Sequence, residues 1–118
     1  MTHEEKKITK IIEELTLFFF AIGAENIKSG IQKRDEKVTI HFESDYSADY
    51  EYRLHSLEKY FSEPKNEGIE DIYWELAGSG DPGETSQLLL IGMMIDGYQI
   101  ERQDGYIKLE LYKELSDM

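Results

Sequence analysis

Apolar side chains recur every three or four positions near the start of the chain: Ile8, Ile11, Ile12, Leu15, Phe19 and Ile22. That spacing gathers them on one side of a helix, so residues 3 to about 23 are predicted to form a long core-facing helix. Thr2 and Glu5 have the spacing of a capping box at its start, and Gly23 is a plausible stop. Phe18 and Phe20 widen the stripe, which predicts burial on more than one side near the helix end. The period then changes from helical to alternating. Ile27, Ser29 and Ile31 alternate with polar neighbours, and Val38, Ile40 and Phe42 do so with Thr39, His41 and Glu43 pointing the other way. Arg34-Asp35-Glu36 lies between the two runs as a short polar turn, so the pair reads as a hairpin.

Ser47 can cap a second helix, with Asp49 in its first turn and Tyr50, Leu54, Leu57 and Phe61 as its inward stripe. Pro64 closes it, because proline disfavours helix in the preceding residue, and residues 62 to 68 read as a loop. Ile69 to Leu76 fits a short helix through Ile69, Ile72, Tyr73 and Leu76, although IYWEL alone also fits a strand. Gly78 to Gly83 must be irregular, and a third helix is expected from Glu84 to about Ile95, with Gly97 as a left-handed cap. The last signal is a second hairpin. Tyr98 and Ile100 alternate before Asp104-Gly105, and Ile107, Leu109 and Leu111 alternate after it, a pattern that predicts a type I′ turn with positive φ at both central residues. The element order α-β-β-α-(α)-α-β-β implies an α+β fold: a two-layer α/β sandwich. Its mainly antiparallel four-stranded sheet is built from two hairpins and covered on one face by helices. At 118 residues the chain is expected to be a single domain spanning 1–118.

Charge narrows the range of partners. Thirteen Lys and Arg face 25 Asp and Glu, for a formal net charge of -12. Such a surface repels phosphate backbones and anionic lipids, so nucleic acid and membrane are poor partners, whereas a basic protein segment or a cation is compatible. Excess charge also serves solubility on its own. The chain has no cysteine, which removes disulfides, thiolate metal sites and cysteine nucleophiles and suits a reducing compartment. The longest apolar runs, Leu15 to Ile22 and Leu88 to Ile95, fall far short of the ~20 residues that span a bilayer. The opening segment MTHEEKKITK lacks the pattern of a signal peptide, so a soluble cytoplasmic protein is expected.

The C-terminal third has a glycine-bearing loop (GSGDPGETS), a helix (QLLLIGMMI), the Asp96-Gly97 turn and a closing hairpin (YQIERQDGYIKLELY). With the order of the earlier elements, this resembles the GHKL ATPase domain of histidine kinases, gyrase-type ATPases, Hsp90-type chaperones and anti-sigma kinases, over about residues 8 to 113. The resemblance implies a nucleotide-binding fold using ATP with magnesium. It would make Glu14 the catalytic base, place Asp45 at the adenine, and set Gly78, Gly80 and Gly83 around the phosphates. The chemical positions depart from that pattern. Where the family carries a metal-holding Asn four residues after its Glu or His, this chain has Phe18. Asp45 is followed by Tyr46, Ser47, Ala48 and Asp49 without the family's glycines, and Asp81 and Glu84 would push negative charge at a triphosphate. The resemblance therefore points to a degenerate member that kept the shell and lost the nucleotide chemistry.

Other constellations add little chemistry. The GxGxxG string at 78–83 lacks the βαβ setting of a dinucleotide fingerprint. His3, His41 and His55 are scattered over different elements, so no metal site is expected. Carboxylate pairs are plentiful but nothing places one in a cleft, and no serine sits in a nucleophile motif. Phe18, Phe20, Met93 and Met94 could line a small-molecule pocket or simply fill the core. The most unusual composition is Asp45-Tyr46-Ser47-Ala48-Asp49-Tyr50-Glu51-Tyr52, an acidic, tyrosine-rich run with Tyr73-Trp74 further on. Tyr and Trp favour interfaces because they present large area with few torsions to freeze. Tyr46, Tyr52 and Trp74 are accordingly the candidate partner-binding residues. The function read from the sequence is a non-catalytic binding or regulatory domain that recognises a protein partner or self-associates, needing no cofactor. The alternative is a divergent GHKL-like ATPase or kinase domain.

Overall fold

The computed structural model describes residues 3–62, 91–92 and 94–115. Helix α1 (His3–Ala21) opens with Glu4 and Glu5, whose charges complement the helix dipole. Its stripe is the expected one: Ile8, Ile11, Leu15, Phe19 and Ile22 are buried, joined by Phe18, while Ile12 is partly buried. The helix stops through a Schellman arrangement at Gly23, which takes φ +90. The N–H of Ala24 donates to Phe19 O at 2.9 Å and that of Gly23 to Phe20 O at 3.1 Å. A side chain at Gly23 would also press on Ser47, whose Cβ lies 2.9 Å from where a Cβ would stand. Phe20 departs from the expectation of burial. It points to solvent, because the helix is covered on one side only at this end.

Strands β1 (Ile27–Arg34) and β2 (Lys37–Asp45) form the first hairpin, and β3 (Gly97–Gln103) and β4 (Tyr106–Glu114) form the second. The sheet runs β1-β2-β4-β3 and every described pairing is antiparallel, so the two hairpins lie side by side through β2 and β4. Register aligns Ile40 with Leu111 and Phe42 with Leu109, while Ile100 pairs with Leu109. Alternation then turns Val38, Ile40, Phe42, Ile107, Leu109 and Leu111 toward the helices, where all are buried. Phe19 of α1 meets Phe42 with ring centroids 5.2 Å apart, which fastens the helix over the centre of the sheet. The opposite face is open to solvent.

The second helical segment differs from the sequence expectation at its start. Ser47 does cap it, accepting the N–H of Asp49 at 3.3 Å, but Ala48–Arg53 wind as a 3-10 helix before α2 (Leu54–Phe61) begins. A stripe counted at 3.6 residues per turn does not hold across a three-residue winding. Leu54, Leu57 and Phe61 are buried as expected, whereas Tyr50 turns outward and is exposed. Phe61 reaches Tyr98 of β3, with ring centroids 6.0 Å apart.

In the described part of the predicted third helix, residues 91, 92 and 94 are helical and Ile95 is not, while Ile91, Met94 and Ile95 lie in the core and Met93 lies outside the described residues. Gly92 packs its backbone directly on that of Tyr60 and Phe61. Two turn expectations are corrected. Gly97 is no left-handed cap; it opens β3 opposite Tyr112, where a Cβ would come within 3.3 Å of the tyrosine ring. In the Asp104-Gly105 turn only Gly105 has positive φ, +74, so this is not the type I′ turn with both residues left-handed. Thr2, the segment Ile69–Leu76, the loop 78–83 and the earlier part of the predicted third helix lie outside the described residues.

Candidate functional site

Asp45 ends β2, beside the loop that leaves α1. Its Oδ1 accepts the backbone N–H groups of Glu25 (2.8 Å) and Asn26 (2.9 Å), and its Oδ2 accepts the Asn26 side-chain amide at 2.9 Å. These bonds, led by the backbone N–H of Asn26, hold its carboxyl below the usual carboxylate range. The group suggested for adenine recognition is thus engaged in closing the α1–β1 loop. Glu14 is buried on α1, with Lys10 Nζ 3.9 Å from its carboxylate. Gly78, Gly80, Gly83 and Trp74 lie outside the described residues. Phe18 is buried and Phe20 exposed, so those two do not line one pocket.

The tyrosine-rich run divides in two. Tyr46 is only 7% exposed. Its hydroxyl lies 3.2 Å from Glu51 Oε1 and 3.3 Å from Gln103 O, and its N–H donates to Gly105 O. Arg102 donates to the same Glu51 oxygen at 3.2 Å, so the 3-10 helix is tied to the β3–β4 hairpin. Tyr52 and Tyr50 have the opposite fate. They are 66% and 41% exposed, on a 3-10 helix that buries none of its own residues. Asp49 and Glu51 are exposed beside them. The helix is nonetheless held firmly, since Arg53 places its guanidinium 5.1 Å from the centre of the Phe18 ring.

A second surface went unremarked in the sequence. Strand β1 is exposed along seven of its eight residues and carries Lys28, Lys33 and Arg34 with no acidic residue. Ile31 faces the helix side of the sheet yet remains half exposed. Next to it an open groove of about 390 Å³ runs between α1 and the first hairpin, lined by Glu5, Ile8, Thr9, Ile31, Lys33 and Val38. The only prior signal was the run of cations in a strand from an acidic chain.

The solvent face of the sheet carries cross-strand polar pairs. His41 Nδ1 lies 3.2 Å from Glu110 and Lys108 lies 3.8 Å from Glu43. Tyr106 donates to Glu43 at 2.8 Å and Tyr112 to Glu110 at 2.7 Å, and these bonds to carboxylates raise both phenols above their ordinary value. Among the described residues no three His, Asp or Glu side chains converge as metal ligands, and no helix is long and apolar enough to cross a membrane. No protein-family model matches the chain, and no curated protein matches it.

Proposed function

We propose that this chain is a non-catalytic binding or regulatory domain of the cytoplasm that recognises a protein partner, with self-association as the simplest variant. The observation that carries the reading is the outward pair Tyr50 and Tyr52, set on a helix that is anchored from beneath by Tyr46, Glu51 and Arg53. A side chain of this size left in water forgoes its burial energy, and tyrosine suits recognition because it has few torsions to freeze. The adjacent carboxylate of Asp49 favours a basic segment on the partner. Tyr46 serves here as a positioning residue, and Trp74 keeps its place in the proposal from sequence composition alone.

Capture from the native lysate tests the reading. The wild-type chain is compared with Tyr50→Ala/Tyr52→Ala and, separately, with Trp74→Ala, and captured proteins are compared by mass spectrometry. A basic partner lost with the tyrosine pair supports the proposal. An unchanged capture profile for the tyrosine variant, with its melting temperature intact, removes the surface.

A further inference from the structure

The β1 edge has a different character from the tyrosine surface, and its argument stands apart from that reading. A sheet edge exposes the half of its N–H and C=O groups that face away from the neighbouring strand, and these can pair with another extended segment. Strand β1 occupies such an edge, and seven of its eight residues are solvent-exposed. The other edge, β3, carries Glu101 as well as Arg102 and meets α2 through Tyr98. On β1 all the charge is of one sign: Lys28, Lys33 and Arg34, in a chain of net charge -12.

We infer that β1 is a docking edge for an acidic extended segment of another protein, which adds alongside it as a further strand. Pleating fixes what that segment must look like. Lys28, Gln32 and Arg34 fall on the open face of the sheet, while Ser29, Ile31 and Lys33 fall on the helix face opposite Phe42, Ile40 and Val38. Alternate residues of an added strand therefore stand beside Lys28 and Arg34, and the intervening ones beside Ile31. There the groove of about 390 Å³ has the apolar floor of Ile8 and Val38. The recognised pattern is an alternation of acidic and apolar residues, with an acidic side chain outward and an apolar one into the groove. Lys33 is steadied at the groove mouth by Glu5, 3.5 Å away.

The same cations disfavour a second copy of this chain. Antiparallel pairing of two β1 strands about Ile31 keeps the faces of both sheets in register and sets Lys28 of each against Arg34 of the other on the open face, two like-charge pairs side by side. Lysines on an edge also turn away neutral strands that would aggregate. Selectivity for an acidic strand is the complement of that repulsion.

The probe is a fluorescein-labelled peptide alternating Glu and Val, titrated into the full chain at low salt and followed by anisotropy and by amide chemical shifts. Binding is expected to move the amides of residues 28–34 and to weaken as salt rises. The Lys28→Glu/Arg34→Glu variant, with unchanged melting temperature, should bind at least about tenfold more weakly, as for close charge pairs at other interfaces. Methylating the alternate set of peptide nitrogens that faces β1 should abolish binding, and methylating the other set should not, because only every second N–H of an added strand points at its neighbour. Tyr52→Ala should bind the peptide as the wild type does. Equal binding of a Lys-Val peptide, full binding of the peptide methylated on the set that faces β1, shifts confined to other residues, or sedimentation as a dimer joined through β1 each overturn the inference.

Discussion

Asp45 accepts the backbone N–H of Asn26 at 2.9 Å, so the last residue of β2 fixes the point where the chain leaves α1 for β1. Because folding favours its charged form, the folded pKa lies below the ordinary 3.8. The resulting stabilisation is complete above the unfolded-state value and vanishes as pH falls through the folded one. Asp45→Asn should therefore lower the melting temperature at neutral pH, and the gap to the wild type should narrow as pH falls below the ordinary 3.8. Thermal melts of both proteins from neutral to acid pH check it; a gap that stays constant would show that the charge is not the stabilising element.

Asp35, the first residue of the β1–β2 turn, takes φ +57, a left-handed conformation rarely adopted by side chains with a Cβ. Replacing it with glycine should stabilise the chain by about 0.5–1 kcal/mol, the relief of αL strain set against the entropy glycine brings to the unfolded state. Asp35→Val should destabilise it, since β-branching tolerates this φ least. Urea denaturation of the pair checks both signs.

Gly92 leaves no space above its backbone. A Cβ there would collide with the carbonyl oxygen of Tyr60 and stand 3.2 Å from the nitrogen of Phe61. Both neighbours are main-chain atoms of α2, which cannot swing aside like a side-chain tip. Gly92→Ala should cost about 1–3 kcal/mol by overpacking, despite alanine's better helix propensity. A variant as stable as the wild type in denaturant titration would refute this close approach.

Tyr46 and Tyr52 should respond oppositely. Tyr46→Phe removes a hydroxyl shared between Glu51 and Gln103 O and is expected to cost about 0.5–1.5 kcal/mol. Tyr52→Ala should change stability by less than about 0.5 kcal/mol, as exposed positions do. Parallel urea curves for the two variants decide it.

Much of the architecture could be read before any coordinates. The α1 stripe and the alternation in both hairpins are long, regular patterns, and they assign the inward face of β2 and β4 residue by residue. The stop at Gly23 was equally legible. The 3-10 start of the second helix was not, because no residue from Ala48 to Arg53 is buried and so no hydrophobic period marks the winding. The placement of Tyr46 depends on Gln103, 57 residues away, and no local window contains that contact. Gly97 shows the ambiguity of glycine: close strand packing and a left-handed turn ask for the same residue. The openness of β1 was hidden for a different reason. Ile27 and Ile31 alternate as in any half-buried strand, and only the reach of α1 across the sheet decides whether they are covered.

Strand β4 comes last along the described chain but lies inside the sheet, between β2 and β3. While it is still being synthesised, the first hairpin has α1 on its face but no strand beside β2, and the flank that will later accept Leu109 and Leu111 stands bare. Pairing across so many intervening residues is slow to nucleate. Until β4 arrives, the emerging polypeptide offers the unpaired N–H and C=O groups of β2 to any extended neighbour, a second open edge that closes only when the last hairpin docks.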